Sequence, residues 1–125
     1  MTGGSDEKKL LWQMAEIDRI NKKLRASGFK IHVLKGAEVN ILKDGLLDID
    51  NKVLAKLDVV GAAVHSLFNL PREKQTERVI RAMENPHLDI LFHPTGRIIN
   101  RRKPIDISME KIIQAAKRTG TILEI

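Results

Sequence analysis

The sequence predicts an α/β fold built on a parallel sheet, and three observations carry that reading. After one long helical stretch, strand-like and helix-like patterns alternate to the end of the chain. Two of the strand-like stretches, "LDVVGAAVHS" and "LDILFH", are nearly continuous apolar runs, the pattern of strands covered on both faces. No linker long enough to divide the 125 residues interrupts the alternation, so one domain is expected. The order is helix, then strand and helix three times, then strand, which specifies parallel strands joined by right-handed crossovers.

The elements follow in order. Residues 1–5 read as a disordered or tag-like lead-in. From Ser5 to Gly28, Leu10, Met14, Ile17 and Leu24 recur at helical spacing, with Asp6 and Glu7 in the first turn and Gly28 at the expected stop. "KIHVLKGAEVNIL", Lys30 to Leu42, is rich in β-branched residues and predicts the first strand; "KDGLLDID" then turns the chain into a short helix carrying Val53, Leu54 and Leu57. "LDVVGAAVHS" predicts the second strand, and "LPREKQTERVIRAMENP" a helix with Pro71 in its first turn and Pro86 beyond its end. "LDILFH" predicts the third strand. A helix is expected from the cap candidate Ser108 to the terminator Gly120, and "TILEI" predicts a fourth strand. Four such apolar strands leave sheet edges unpaired, so the chain is expected to be part of something larger, completed by a second copy or by a partner chain.

Composition narrows the chemistry. At 42% hydrophobic and 30% charged, the chain has the make-up of a folded globular protein. It has no cysteine, which removes disulfides, thiolate zinc sites and cysteine nucleophiles, so any metal must sit on His, Asp or Glu. A net charge of +6 admits nucleic acid or a phosphorylated substrate, and equally an ordinary lysine-rich surface. With 3% aromatics and no tyrosine, the stacking platform of single-strand binding modules is missing. No apolar run is long enough to span a membrane and no signal-peptide core is present, so a cytoplasmic protein is expected.

Three ligand-type residues recur at the predicted strand ends: Glu38, His65 and His93, separated by 27 and 28 residues, about one strand-helix unit each. Parallel strands present their carboxyl ends on one side, where α/β folds place active sites. A carboxylate and two imidazoles converging there would hold one divalent metal with a position left open for water. Taken singly, each has an ordinary reading as a loop or half-buried side chain; the matched spacing is what argues for a site. His32 shares the strand of Glu38 but lies six residues before it, about 20 Å away at a strand's rise, and His87 precedes its strand, so both belong to the far side. The loop after His93, "GRIINRRKP", brings Arg97, Arg101, Arg102 and Lys103 to the site edge, where they would hold phosphate oxygens or simply be solvated. Arg97, four residues from His93, is the favoured substrate contact. Ser66 reads as a turn residue, and no glycine-rich phosphate loop is present.

The stretches "GAEVNIL", "LDVVGAAVHS" with "FNLPREKQTERVIRAMENPH", "LDILFHPTGR" and "RTGTILEI" together resemble the PHP (polymerase and histidinol phosphatase) domain, most of all the C-terminal PHP domain of bacterial and archaeal family X DNA polymerases. The resemblance covers roughly residues 28–125 and makes residues 6–125 a partial PHP domain. It implies a partial distorted (β/α)7, TIM-like barrel with up to three metals at the strand ends, and phosphoester hydrolysis, in that branch manganese-dependent processing of DNA 3′ ends by exonuclease and phosphatase chemistry. Glu38 maps to the bridging glutamate, and His65 and His93 to two histidine ligands of one metal. The family's opening His-x-His motif and its terminal Asp-x-His motif have no counterpart here, and neither has the nucleotidyl-transferring part of such polymerases, which implies a fragment with weak or no turnover by itself. Imidazole with carboxylate suits manganese, zinc or iron. Two rival expectations stand beside this one: a non-catalytic α/β module acting through association, and a phosphatase for a small ester of the histidinol phosphate type.

Overall fold

The computed structural model describes residues 6–125; the lead-in at residues 1–5 lies outside them. Helix α1 runs Glu7–Ala26, capped by the Asp6 carboxylate, which accepts the Lys9 N–H at 2.8 Å, and closed by Gly28 at φ +78°. Leu10 and Met14 reach the core. Asn21, on the same helix, is buried and grips Val33 twice: its carboxamide oxygen accepts the Val33 N–H and its nitrogen donates to the Val33 carbonyl, both at 2.8 Å. That grip explains why the first strand is shorter than its β-branched sequence predicts. The backbone around Val33 finds its partner in a side chain of α1, and β1 begins only at Gly36, ending at Asn40.

Past β1 the chain doubles back. Ile41 bridges antiparallel to Leu47 across a turn at Lys43–Gly45, in which Gly45 has φ +83°. Only glycine fits there, since a Cβ would come within 2.6 Å of the Arg78 carbonyl oxygen and 2.8 Å of Arg81 Cβ. The short helix α2, Asn51–Leu54, buries Val53 and Leu54. Strand β2 is Val59–Ala63, and α3, Arg72–Met83, starts from Pro71. Strand β3 is cut to Ile90–Leu91; α4, Met109–Thr119, runs from Ser108 to Gly120 at φ +81°; β4 is Ile122–Leu123. The Ser108 hydroxyl caps nothing. Its backbone N–H instead donates to the Thr76 hydroxyl of α3 at 2.9 Å, tying the start of α4 to α3.

All four strands are parallel, in the order β1-β2-β3-β4, so each connection steps the same way across the sheet. The fold is therefore mixed α/β with βα repeats, as expected. Register places Glu38 opposite Gly61 and Gly61 opposite Ile90, and likewise Val39 opposite Ala62 and Ala62 opposite Leu91. The second set faces the core, where Leu54, Val79, Met83 and Ile112 are all buried with it. No described helix is long and apolar enough to cross a membrane.

Candidate metal centre

Strand alternation puts Val39 and Ile41 into the core and turns Glu38 and Asn40 to the opposite face. Their neighbours in register on β2 are Gly61 and Ala63, which leave the space above them open. The Phe92 ring leans into part of that space: a Cβ on Gly61 would lie 1.9 Å from Phe92 Cε2. Glycine at 61 is thus required by packing, with no positive φ involved.

His65 lies two residues beyond the end of β2, in the loop rather than the strand, and keeps the parity of Gly61 and Ala63. Its Nδ1 is 2.7 Å from the Asn40 side-chain oxygen. The Asn40 side-chain nitrogen is committed elsewhere, donating to Asp48 Oδ2 at 2.5 Å, while the Asn40 backbone N–H donates to Asp48 Oδ1 at 2.9 Å. With the nitrogen held by Asp48, the oxygen faces His65, so Nδ1 is the donor of this bond and the neutral ring has its Nε2 lone pair available to a metal. That Nε2 stands 3.2 Å from Glu38 Oε1.

His93 reaches the same oxygen by another route. Counting from Leu91, regular alternation would send its side chain toward the core. At φ +30° the backbone instead leaves the strand, with the His93 N–H donating to Glu124 Oε2 at 2.7 Å and its carbonyl accepting the Gly96 N–H at 2.7 Å. Backbone in this region costs about 1–3 kcal/mol for a non-glycine residue and clusters at functional sites. Its Nε2 also lies 3.2 Å from Glu38 Oε1, and the two imidazole rings sit 5.2 Å apart at 58°.

One donor atom from each of Glu38, His65 and His93 therefore falls within 4.8 Å of the others. Ligand atoms around a tetrahedral ion at about 2.1 Å are about 3.4 Å apart, so the two 3.2 Å separations match the edges such an ion requires, and the donor set is one that zinc, manganese or iron accepts. The side chains remain 39–45% exposed, which leaves the cluster open to substrate.

The other predicted residues are placed as follows. His32 is exposed in the segment before β1, His87 is half-buried before β3, and neither belongs to the cluster. Arg97, Arg101 and Lys103 are exposed on the loop after β3, as is Ser66 after β2. Arg102 is half-buried: its Nε donates to the Gly96 carbonyl at 2.7 Å and its guanidinium lies 4.0 Å over the Phe68 ring, so it braces two loops against each other. Asn40, Asp48 and Glu124 were not singled out from the sequence. Asn40 had a legible signal, standing two residues after Glu38 and so on the same face; the roles of Asp48 and Glu124 arise only from the fold.

No family model matches the chain. Among curated proteins it is 40% identical, over all 125 residues, to the DNA polymerase/3′-5′ exonuclease PolX of Bacillus subtilis, of which it spans 21%. It is 37% identical over 119 residues to a probable phosphatase of Thermoanaerobacter pseudethanolicus and 32% identical over 118 residues to one of Clostridium acetobutylicum, spanning 44% of each. The chain thus spans less than half the length of these relatives. Homology to PolX and to these probable phosphatases places it in the PHP family that its motifs resemble.

Proposed function

We propose that the chain forms part of a metal-dependent phosphoesterase domain of a family X polymerase-like protein, acting on DNA 3′ ends. The observation that carries this is the convergence of Glu38 on β1, His65 in the loop after β2 and His93 just past β3, one donor atom of each lying within 4.8 Å of the others. A divalent ion held there would polarise phosphoryl oxygens and lower the pKa of a water from about 15.7 toward 7. The protein's own contributions are distinct. Asn40 and Asp48 hold His65 in the tautomer that can ligate, Glu124 and the left-handed turn aim His93, and Glu38 lies between the two rings. Arg97, with Arg101 and Lys103, is assigned to the phosphates of the substrate. Manganese or zinc suits the donors, iron also. DNA is preferred over a small ester because PolX is matched along the whole chain, while the probable phosphatases keep the second substrate in play. A cytoplasmic location goes with a DNA substrate.

The sequential parallel order is that of one wall of a (β/α) barrel, and β1 and β4 each have a single neighbour. Closure of a TIM-like barrel, by a second copy or a partner chain pairing at those edges, is part of the same proposal.

Metal titration tests it. The chain should bind about one Mn²⁺ or Zn²⁺ per molecule, and His65→Ala, His93→Ala and Glu38→Gln should each abolish or severely weaken that binding while the fold persists. Unchanged stoichiometry and affinity in all three variants would refute the site.

A further inference from the structure

Register leaves a gap that the cluster must bridge. Glu38 is level with Gly61, so His65 starts four residues further along, about 13 Å if β2 simply continued. The loop after β2 must be pulled back over the sheet for the ring to reach Glu38. Among the described residues, no backbone–backbone hydrogen bond outside the helices and strands holds residues 64–70. Two side chains of α3 do so instead. Arg78 Nη1 donates to the Ser66 carbonyl at 3.0 Å, and Gln75 Nε2 donates to the Leu67 carbonyl at 3.0 Å, where Leu67 sits at φ +56°.

The same guanidinium holds the other half of the site. Its Nε donates to the Leu42 carbonyl at 2.7 Å and its Nη2 to the Ile41 carbonyl, the two residues directly after Asn40. Its remaining Nη1 hydrogen goes to Gln75 Oε1 at 3.1 Å. Four of the five N–H donors are thereby committed, and no described carboxylate lies within salt-bridge distance. Both side chains are buried, Arg78 at 3% and Gln75 at 0% exposure.

We infer that Arg78 is a positioning residue for this site, a rigid fork that fixes the His65 loop against the strand end carrying Glu38 and Asn40; the inference rests on the metal reading above. A planar guanidinium spans carbonyls from two separate loops in one fixed fork, whereas a lysine ammonium offers three rotatable donors from a single point and holds no such geometry.

The test compares Arg78→Lys and Arg78→Ala with Val79→Ala, a buried neighbour on α3 that touches neither loop through hydrogen bonds. Two readouts are taken: the affinity and visible spectrum of bound Co²⁺, and, in the metal-free chain, the ring ¹⁵N shifts of His65, which report its tautomer. Both Arg78 variants should weaken Co²⁺ by about tenfold or more and mix the His65 tautomers. Val79→Ala should lower thermal stability yet leave both readouts unchanged. Should Arg78→Ala fail to fold, Arg78→Lys decides. The inference is overturned if Arg78→Lys keeps affinity within about twofold together with the parent tautomer, or if Val79→Ala disturbs the two as much. If the parent chain binds no Co²⁺, the metal reading fails alone, and the His65 shifts still decide whether Arg78 positions the ring.

Discussion

In the proposed metal centre, Asn40 would do with one carboxamide what metal sites usually assign to an outer carboxylate or carbonyl. Its nitrogen is spent on Asp48, so its oxygen selects the His65 tautomer whose Nε2 faces Glu38. Asn40→Ala removes that selection and leaves Asp48 without its side-chain partner. Metal affinity measured by competition titration is therefore expected to fall by about 10–100-fold, in the range typical for lost outer partners of a ligating histidine. An unaltered affinity would show that the ring is oriented by something else. At this scale the sequence was legible in residue types and less so in directions. Glu38, His65 and His93 stand out as ligand types at regular spacing, yet spacing suggested three residues at one height. Register shows His65 four residues past the level of Glu38 and His93 three past it, on loops that fold back. For His93 the parity rule points to the wrong face, because one residue at positive φ breaks the alternation on which the rule depends.

Among the elements, helices were easier to read than strands. The Asp6 carboxylate and the terminators Gly28 and Gly120 act through local chemistry, and α1 and α4 run nearly as the sequence predicts, although the Ser108 hydroxyl makes no cap. Strand length depends on partners instead. Lys30–Lys35 has strand composition, but Asn21 takes up the Val33 backbone, and "LDILFH" yields only two paired residues before Phe92 and His93 turn out over the site. The close approach of Phe92 to β2 makes Gly61 the sensitive point of the sheet. Gly61→Ala forces either the ring or the strand to shift, since the added methyl would sit 1.9 Å from Phe92 Cε2. Overpacking of this kind costs about 1–3 kcal/mol, to be read as a lowered midpoint in urea unfolding at constant slope. The displaced ring neighbours His93 in the chain, so metal affinity should drop together with stability. A variant as stable as the parent would mean that Phe92 moves freely.

At the level of the whole molecule, charge offers a way to separate a DNA substrate from a small phosphate ester. The chain carries +6 overall, and Arg97, Arg101 and Lys103 stand exposed on the loop that leaves β3, which opens with the turn from His93 to Gly96. A small ester offers one phosphate, which one cation beside the metal can satisfy. A DNA 3′ end extends several phosphates past the reacting one, and each one neutralised by the protein releases condensed counterions. For single strands the slope of log K against log salt is about −0.7 per phosphate contacted. If the three side chains each hold a backbone phosphate, replacing them together by serine should weaken binding of a short single-stranded oligonucleotide and make its salt slope shallower by about 2. Arg102 is left in place because its guanidinium braces Gly96 and Phe68. Metal affinity should be unaffected, as none of the three belongs to the ligand cluster. A slope identical to that of the parent would remove this loop from the DNA path. Measurable turnover of a small phosphate monoester that does not respond to the triple change would then favour the phosphatase relatives over PolX as the guide to substrate.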